Sequence, residues 1–258
     1  MNFFIMVSLI LSVLLGIFRG IDLALLTDAE TGLCIVGSVW LRYGALAVAV
    51  GAAVAAGRGG QPKPDALRGH CTPSGVVALA AAVCYGEAAV LRILWMHSSV
   101  VMLLRAVLEA LCAFWMIGLG LSWLRRGWKN PTRSLTPAVL GSVIFYWCVL
   151  ARFMENSSSW HRVAPTAAVW QALAALLLLS SLARALYLPK PENGRTLCAA
   201  GLAALCLCLC WELPHAAVLA VGAAAEPALL PELFAALALC CVGALGGVCA
   251  AACAWRPE

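Results

Sequence analysis

Long apolar runs alternate with short polar segments along the chain. Eight runs consist mainly of Ala, Leu, Val, Cys and Gly, and the segments between them carry most of the Pro, Asp, Lys and Arg. An α-helix of about 20 residues crosses the roughly 30 Å hydrocarbon core of a bilayer. The pattern therefore predicts eight membrane-spanning helices, at approximately residues 2–18, 33–56, 75–96, 98–122, 136–154, 165–187, 197–218 and 232–254.

Composition narrows the class of protein further. Hydrophobic residues make up 64% of the 258 residues and charged residues only 11%, which leaves too little polar surface to coat a soluble globule of this size. We expect an all-α, polytopic transmembrane bundle that forms a single integral membrane domain over residues 1–258. The formal net charge of +5 is modest, and the basic residues lie mostly in short connecting segments, a pattern that orients spans and gives no indication of nucleic-acid binding.

Two of the eight runs allow a second interpretation. The first could be a signal peptide, but it has no basic start and no small-x-small cleavage site before Arg19, which favours a retained helix. Pro214 interrupts the seventh run, and proline removes a backbone hydrogen bond inside a helix. Membrane helices tolerate this where neighbours satisfy the freed carbonyl, so we expect a kink there rather than an end.

The basic residues predict how the chain is oriented. The segments after the second, fourth and sixth runs are basic, whereas those after the first, fifth and seventh are mainly acidic. Cytoplasmic loops of membrane proteins carry an excess of Lys and Arg. We therefore expect a plasma-membrane protein with both termini in the cytoplasm. The basic residues are Arg58, Lys63, Arg68, Arg125, Arg126, Lys129, Arg133, Arg184, Lys190 and Arg195.

A repeated spacing suggests internal symmetry. Residues 62–68 and 189–195 share the order Pro-Lys-Pro-acid-x-x-Arg, and Arg92 and Arg152 each precede a Ser-Ser pair by six residues. The offsets fit helical hairpins repeated in parallel at about 60 residues, a symmetry found in some transporters. The alternative is that runs of similar composition align by chance.

Ionisable residues inside the apolar runs are the strongest indication of a site. Each charged side chain at the centre of a membrane helix costs about 2.5–3.5 kcal/mol on insertion scales, so it usually faces protein or water. We predict Arg42, Glu87 and Glu109 near mid-depth and regard them as the strongest candidates. Arg92 and Arg152 fall near span ends, where long side chains reach the headgroups without any functional role. The complete set of ligand- or ion-binding candidates is Arg42, Glu87, Arg105, Glu109, Glu212 and His215.

The spacing of these candidates indicates what they could do. Arg105 and Glu109 are four residues apart and can pair on one helix face, and Glu212 and His215 are three apart. This predicts a polar intramembrane site, entered from outside, in which carboxylates bind a cation or a proton and an arginine balances the charge. The alternative is that the buried pairs only fix helix register.

The segment between the fifth and sixth runs is the most polar on its side. Trp, His, Arg and Ser offer stacking and hydrogen bonds at a pocket mouth, so Arg152, Glu155, Trp160 and Arg162 are candidates for an outer rim. A loop anchored at the membrane interface by Trp160 is the alternative.

Metal, cofactor and enzymatic chemistry are not indicated. The 13 cysteines lie almost all within apolar runs and form no CxxC pair, which is typical of small apolar packing residues. The chain has no HExxH or GxSxG motif. We therefore predict no metal and no cofactor, and the lack of a catalytic motif favours a non-enzymatic function over an enzymatic one.

Three classes of function remain, of which the third, a membrane-embedded enzyme, would require the outer Ser, His and Glu side chains to converge. The first is a transporter or permease for a small solute or an ion, with the bilayer and that ligand as partners. The second is a receptor or scaffold subunit that acts through a membrane partner chain, with the buried charges structural. Loss of the Glu87 or Glu109 charge should matter for the first class more than for the second.

Overall fold

The computed structural model describes residues 3–28, 33–59, 64–96, 99–126, 130–131, 134–154, 163–188 and 190–254. These residues are almost entirely helical, and their only β-type pairing is an isolated bridge between Thr27 and Cys34. The helices are α1 Phe3–Ile21, α2 Val39–Arg58, α3 Thr72–Met96, α4 Val100–Leu124, α5 Thr136–Met154, α6 Val163–Tyr187, α7 Pro191–Ala204, α8 Glu212–Ala225 and α9 Leu230–Ala254. Two π-helical segments, Asp22–Leu26 and Leu205–Trp211, extend α1 and join α7 to α8.

The described helices form a bundle of eight rods, because α7, the second π segment and α8 run on as one helix. Seven stretches are long and apolar enough to cross a membrane, and the apolar part of α5, Thr136–Arg152, is shorter. The predicted all-α helical bundle is confirmed. The chain is a multi-pass membrane protein.

Successive rods run in opposite directions. We define the upper end of the bundle as the one that contains the C-terminal ends of α1, α3, α5 and α8 and the N-terminal ends of α2, α4, α6 and α9. At the opposite, lower end, direct contacts join segments that are distant in the sequence, such as the hydrogen bonds from the Arg68 guanidinium to the Leu186 carbonyl oxygen. The α7–α8 rod and α9 occupy the middle, where α9 packs against α3, α7 and α8.

Glycines bring the central helices into backbone contact. A Cβ added to Gly201 would lie 2.5 Å from the carbonyl oxygen of Gly246, and one added to Gly57 would lie 2.3 Å from the Cα of Ala199. Small residues permit such close approach of membrane helices, which is a main source of their packing energy. The glycines of α9 therefore pack against other helices of the same chain.

Pro214 lies inside the rod and does not end it. Its missing N–H would otherwise bond the carbonyl of Cys210, four residues earlier. A Cβ on Gly16 of α1 would lie only 2.7 Å from that carbonyl oxygen. The backbone of α1 therefore covers the carbonyl that Pro214 leaves without a helical partner.

Candidate functional site

A cavity of about 510 Å³ lies among the helices in the upper half of the bundle. Side chains from α1, α3, α4, α5, α6, α8, α9 and the second π segment line it. Its volume is within the roughly 300–1,000 Å³ typical of small-molecule sites. Most of the lining is apolar or aromatic, including Tyr85, Phe145, Trp147 and Trp211.

Four charged side chains from three helices form one ion-pair network beside this cavity. Glu109 of α4 bonds Arg92 of α3 at 3.0 Å and Arg105 of its own helix at 3.2 Å. Glu232 of α9 bonds the same two arginines, at 2.8 Å to Arg92 and 3.1 Å to Arg105. We call Arg92, Arg105, Glu109 and Glu232 the four-charge network.

Exposure divides this network into an inner and an outer pair. The side chains of Arg92 and Glu109 are 0% and 1% exposed, whereas those of Arg105 and Glu232 are 25% and 39% exposed. Arg105, Glu109 and Glu232 line the cavity. A molecule in the cavity would therefore meet the Arg105–Glu232 pair first.

A second polar cluster follows the second π segment. Glu212 accepts a hydrogen bond of 2.6 Å from the side-chain amide of Gln171 and contacts Nδ1 of His215 at 2.8 Å. The Gln171 amide also donates to the carbonyl oxygen of Leu207 within the π segment. Glu212 is buried, while His215 is about half exposed. All three side chains belong to the cavity lining.

Arg19 connects the cavity to a third cluster at the end of α1. Its guanidinium lies 4.6 Å from the centre of the Trp211 ring, a cation–π distance, and bonds Asp22 at 2.7 Å. Asp22 also bonds Arg42 of α2 at 2.6 Å. Arg42 donates further to the carbonyl oxygens of Leu26 and Val36. This cluster ties the start of α2 to the π-helical end of α1.

The structure brings some of the predicted site residues together. Arg105, Glu109, Glu212 and His215 all line the one cavity, and both expected pairs are in contact. Arg152 lines it as well and has an exposed side chain. The other rim candidates, Glu155, Trp160 and Arg162, lie outside the described residues.

Two of the three strongest candidates are elsewhere. Arg42 was expected near mid-depth, but α2 begins at Val39, so Arg42 lies in its first turn and bonds the α1–α2 connection instead of lining the cavity. Glu87 is exposed on α3, away from the cavity. The structure does not bring Glu87 together with the other candidates, because hydropathy gives depth but not the face of the helix.

The interpretation of Arg92 as a headgroup-seeking residue was also wrong. It is fully buried and bonded to two carboxylates. Sequence reasoning also missed Gln171 and the roles of Glu232, Asp22 and Arg19. Gln171 was detectable, since it is one of only two glutamines in the chain and lies in the middle of an apolar run.

Chemically, the cavity offers balanced charge rather than a metal site. Its lining contains three arginines and three glutamates, Arg19, Arg105, Arg152, Glu109, Glu212 and Glu232. Among the described residues no group of three His, Cys, Asp or Glu is placed to hold a metal ion.

The chain was also compared with known proteins. No family model, curated protein or solved structure matches it. The chemistry of the cavity is therefore the basis on which its function is inferred.

Proposed function

We propose that this chain is a plasma-membrane transporter for a small polar solute, and that the upper cavity is its solute-binding site. The observation that carries the proposal is the location of six charged side chains around one cavity inside a bundle of spans. Ionisable residues within membrane helices are costly and mark solute and ion pathways more often than other positions. A purely structural ion pair needs no adjoining cavity.

Accessibility of the charges supports a binding role. Arg105, Glu232 and His215 are partly exposed within the site, so each can exchange a protein partner for a solute. Glu109 and Arg92 lie behind the exposed pair and hold it in position through their own bonds. Sites in which buried groups orient exposed ones keep a defined geometry before the ligand arrives.

The second π segment supports movement of the site. π-Helical turns inside α-helices occur frequently at functional positions. Here the segment Leu205–Trp211 separates α7, which is packed through Gly201 on α9, from α8, which carries Glu212 and His215. A change in the winding of this segment would move the second polar cluster while the lower part of the rod stays in place.

The orientation follows from the charges at the two ends. The exposed Arg58, Arg125, Arg184 and Arg195 all lie at the lower end, and cytoplasmic loops are the basic ones. We therefore infer that the lower end and both termini are cytoplasmic. The cavity then opens towards the outside.

A binding and uptake experiment tests this function. Purified protein would be screened for thermal stabilisation by small solutes in detergent, and hits would be tested for uptake into proteoliposomes. A solute present at about 100 times its dissociation constant stabilises the folded state by about 2.7 kcal/mol. The variants Arg105→Gln and Glu232→Gln should lose stabilisation and uptake together, whereas Glu87→Gln, outside the cavity, should keep both. Stabilisation and uptake that survive both cavity substitutions would contradict the proposal.

One observation favours the second class of function, a subunit that acts through a partner chain. Glu87 is exposed on the same face of α3 as Val83, Val90 and Leu94, and forms no hydrogen bond or ion pair with any described residue. A lone carboxylate on a lipid-facing surface is costly. A partner helix that carries a Lys or Arg at this depth would compensate the charge.

The described part of a second copy of this chain offers no such base, because its exposed Lys and Arg side chains lie near helix ends. The partner would therefore be a different chain. The mass of the complex extracted into nanodiscs should fall to that of the lone chain in Glu87→Lys. If an acidic substitution of the partner's basic residue restored the mass of the complex, that residue would be identified as the one that pairs with position 87. An unchanged mass in Glu87→Lys would refute the pairing.

A further inference from the structure

We propose that the cavity selects zwitterions, that is, solutes with an anionic oxyacid group, an ammonium group and an aliphatic part. This inference rests on the proposed solute site and names the chemical class of its ligand. It follows from the charge balance of the cavity, the way its ions are paired, and a cavity-lining donor that has no hydrogen-bond partner among the described residues.

The charged side chains that line the cavity sum to zero, so the lining has no net charge that would bind a simple ion. Its three arginines match its three glutamates in number. Arg92 and Arg42, which lie behind and beside the cavity, each have an ionic partner, since Arg92 shares Glu109 and Glu232 with Arg105 and Arg42 pairs with Asp22. A singly charged solute would have to break a pair and leave one buried protein charge without a partner, which is strongly unfavourable. A zwitterion brings a replacement for both partners.

The Arg105–Glu232 pair is the place where such an exchange can occur. It is the exposed pair of the network, and its two bonds, 3.2 Å and 3.1 Å from the guanidinium nitrogens to the two carboxylate oxygens, are longer than those of Arg92 to Glu232 at 2.8 Å. A solute carboxylate can take the place of Glu232 on the Nη1–Nη2 edge of the Arg105 guanidinium, whose in-plane N–H groups suit two-point binding of oxyacids. The ammonium group of the solute then pairs with Glu232.

Each protein residue keeps one partner during this exchange. Arg105 remains bonded to Glu109, and Glu232 remains bonded to Arg92. No charge of the network is left alone when the solute enters. The buried Arg92–Glu109 pair thereby acts as a positioning pair behind the exposed one.

A spare donor indicates that the incoming group must include an acceptor. Nε of Arg19, which lines the cavity, is buried and has no hydrogen-bond partner among the described residues. Buried donors are nearly always satisfied in folded proteins, so an unsatisfied one calls for a bound group. The carboxylates of Glu109 and Glu212, by contrast, already accept from two side chains each.

The rest of the lining specifies the third part of the ligand. An apolar wall surrounds the charged groups and includes Met102, Trp147, Leu219 and Leu239. Burying an aliphatic group against such a wall is favourable because apolar surface leaves water. A branched aliphatic α-amino acid combines all three features. The same charges occur in the ethanolamine phosphate headgroup of a phospholipid, which is the second source of this chemistry.

Matched probes test the proposal on the purified, full-length protein. L-Leucine carries both charges, L-leucinamide keeps only the cation, and 4-methylpentanoate keeps only the anion. Binding would be measured by thermal stabilisation in detergent and by isothermal titration. Leucine should bind at least about tenfold more tightly than either analogue, a difference of about 1.4 kcal/mol. A parallel series would compare short-chain phosphatidylethanolamine with phosphatidylglycerol.

Two substitutions should change the selectivity in opposite directions. Glu232→Gln leaves the cavity with an excess positive charge, and should bring 4-methylpentanoate to at least the affinity of leucine. Arg105→Gln leaves an excess negative charge and should do the same for leucinamide. In Glu87→Gln, whose position is outside the cavity, the order of affinities should be that of the wild type.

The outcomes separate this inference from the proposed function. Selective binding of leucine, or selective binding of phosphatidylethanolamine alone, supports the zwitterion class and identifies its source. Tighter binding of leucinamide or 4-methylpentanoate by the wild-type protein would overturn the inference while leaving a solute site. Absence of stabilisation by every probe and by the wider solute screen would overturn both.

Discussion

Glu109 is the residue whose replacement has the largest predicted effect on stability. Its carboxylate is 1% exposed and bonds Arg92 and Arg105. Glu109→Gln keeps the size of the side chain but removes the charge. Arg92, which is fully buried, then keeps only Glu232 as an ionic partner.

The expected loss follows from the burial of Arg92. Breaking a buried ion pair by removing one partner costs about 3–5 kcal/mol, and we take the lower limit of about 3 kcal/mol because Glu232 remains. For a chain of this length about 1 kcal/mol changes the melting temperature by 2–4 °C. Glu109→Gln should therefore melt about 6–12 °C below the wild type.

A double-mutant cycle measured in detergent isolates the pair. Arg92→Met and Glu109→Gln would be made separately and together, with thermal unfolding followed by fluorescence and size-exclusion chromatography. The double variant removes both members of the inner pair and leaves Arg105 bonded to Glu232. It should be more stable than the sum of the two single losses predicts, by about 1.5–3 kcal/mol, since contacting residues couple.

Two results would refute this reasoning. One is a Glu109→Gln variant as stable as the wild type, and the other is a pair of single losses that simply add. Glu87→Gln is the matched control, because it makes the same chemical change on an exposed side chain of α3. It should not lower the melting temperature by more than about 2 °C.

Further predictions concern packing and orientation. Gly57→Ala should destabilise the protein by about 1–3 kcal/mol, because its Cβ would lie 2.3 Å from Ala199 Cα. Gly51→Ala on the same helix meets open space and should be neutral or stabilising in thermal unfolding, since alanine favours helix by up to about 1 kcal/mol. A membrane-impermeant maleimide applied to intact cells should label Glu226→Cys above the wild-type background. Glu192→Cys should react only after permeabilisation, and the reverse result would invert the proposed orientation.

The helices were predictable because hydropathy is a local property. A run of about 20 apolar residues indicates a span whatever its neighbours are, and the eight predicted runs each correspond to a rod of the bundle. Span ends were less predictable. The first run was expected to end near residue 18, but the helix continues through the π segment to Leu26 and so includes Asp22 among its polar groups.

The face on which a charge lies was not predicted, and α3 illustrates why. Glu87 and Arg92 are five residues apart, which places them about 140° apart around an α-helix. Arg92 shares its side with the buried alanines of α3, and Glu87 shares its side with exposed Val83 and Val90. Small residues mark the packed face of a membrane helix. The distribution of small residues around the helix therefore indicated which face is packed, which hydropathy alone does not show.

Partners from distant parts of the chain were beyond sequence reasoning. Glu232 meets Arg92 across 140 positions and Gln171 meets Glu212 across 41. Pairs three or four residues apart, such as Arg105 with Glu109, were within reach because helix geometry alone brings them together. The cavity depends on the distant contacts, so its charge balance became visible only in the folded chain.

The π segment at Leu205–Trp211 gives the central rod a phase that an uninterrupted α-helix would not have. A π turn holds one more residue than an α turn, and each residue in an α-helix adds about 100° of rotation and 1.5 Å of length. If the segment wound as ordinary α-helix with its present number of residues, Gly201 could stay docked on Gly246, while Glu212 and His215 would rotate by roughly a quarter turn, away from their present direction. Removing one residue would compensate for that rotation, because an α turn needs one residue fewer. The direction of the second polar cluster is thus encoded in the number of residues that precede it as well as in their types.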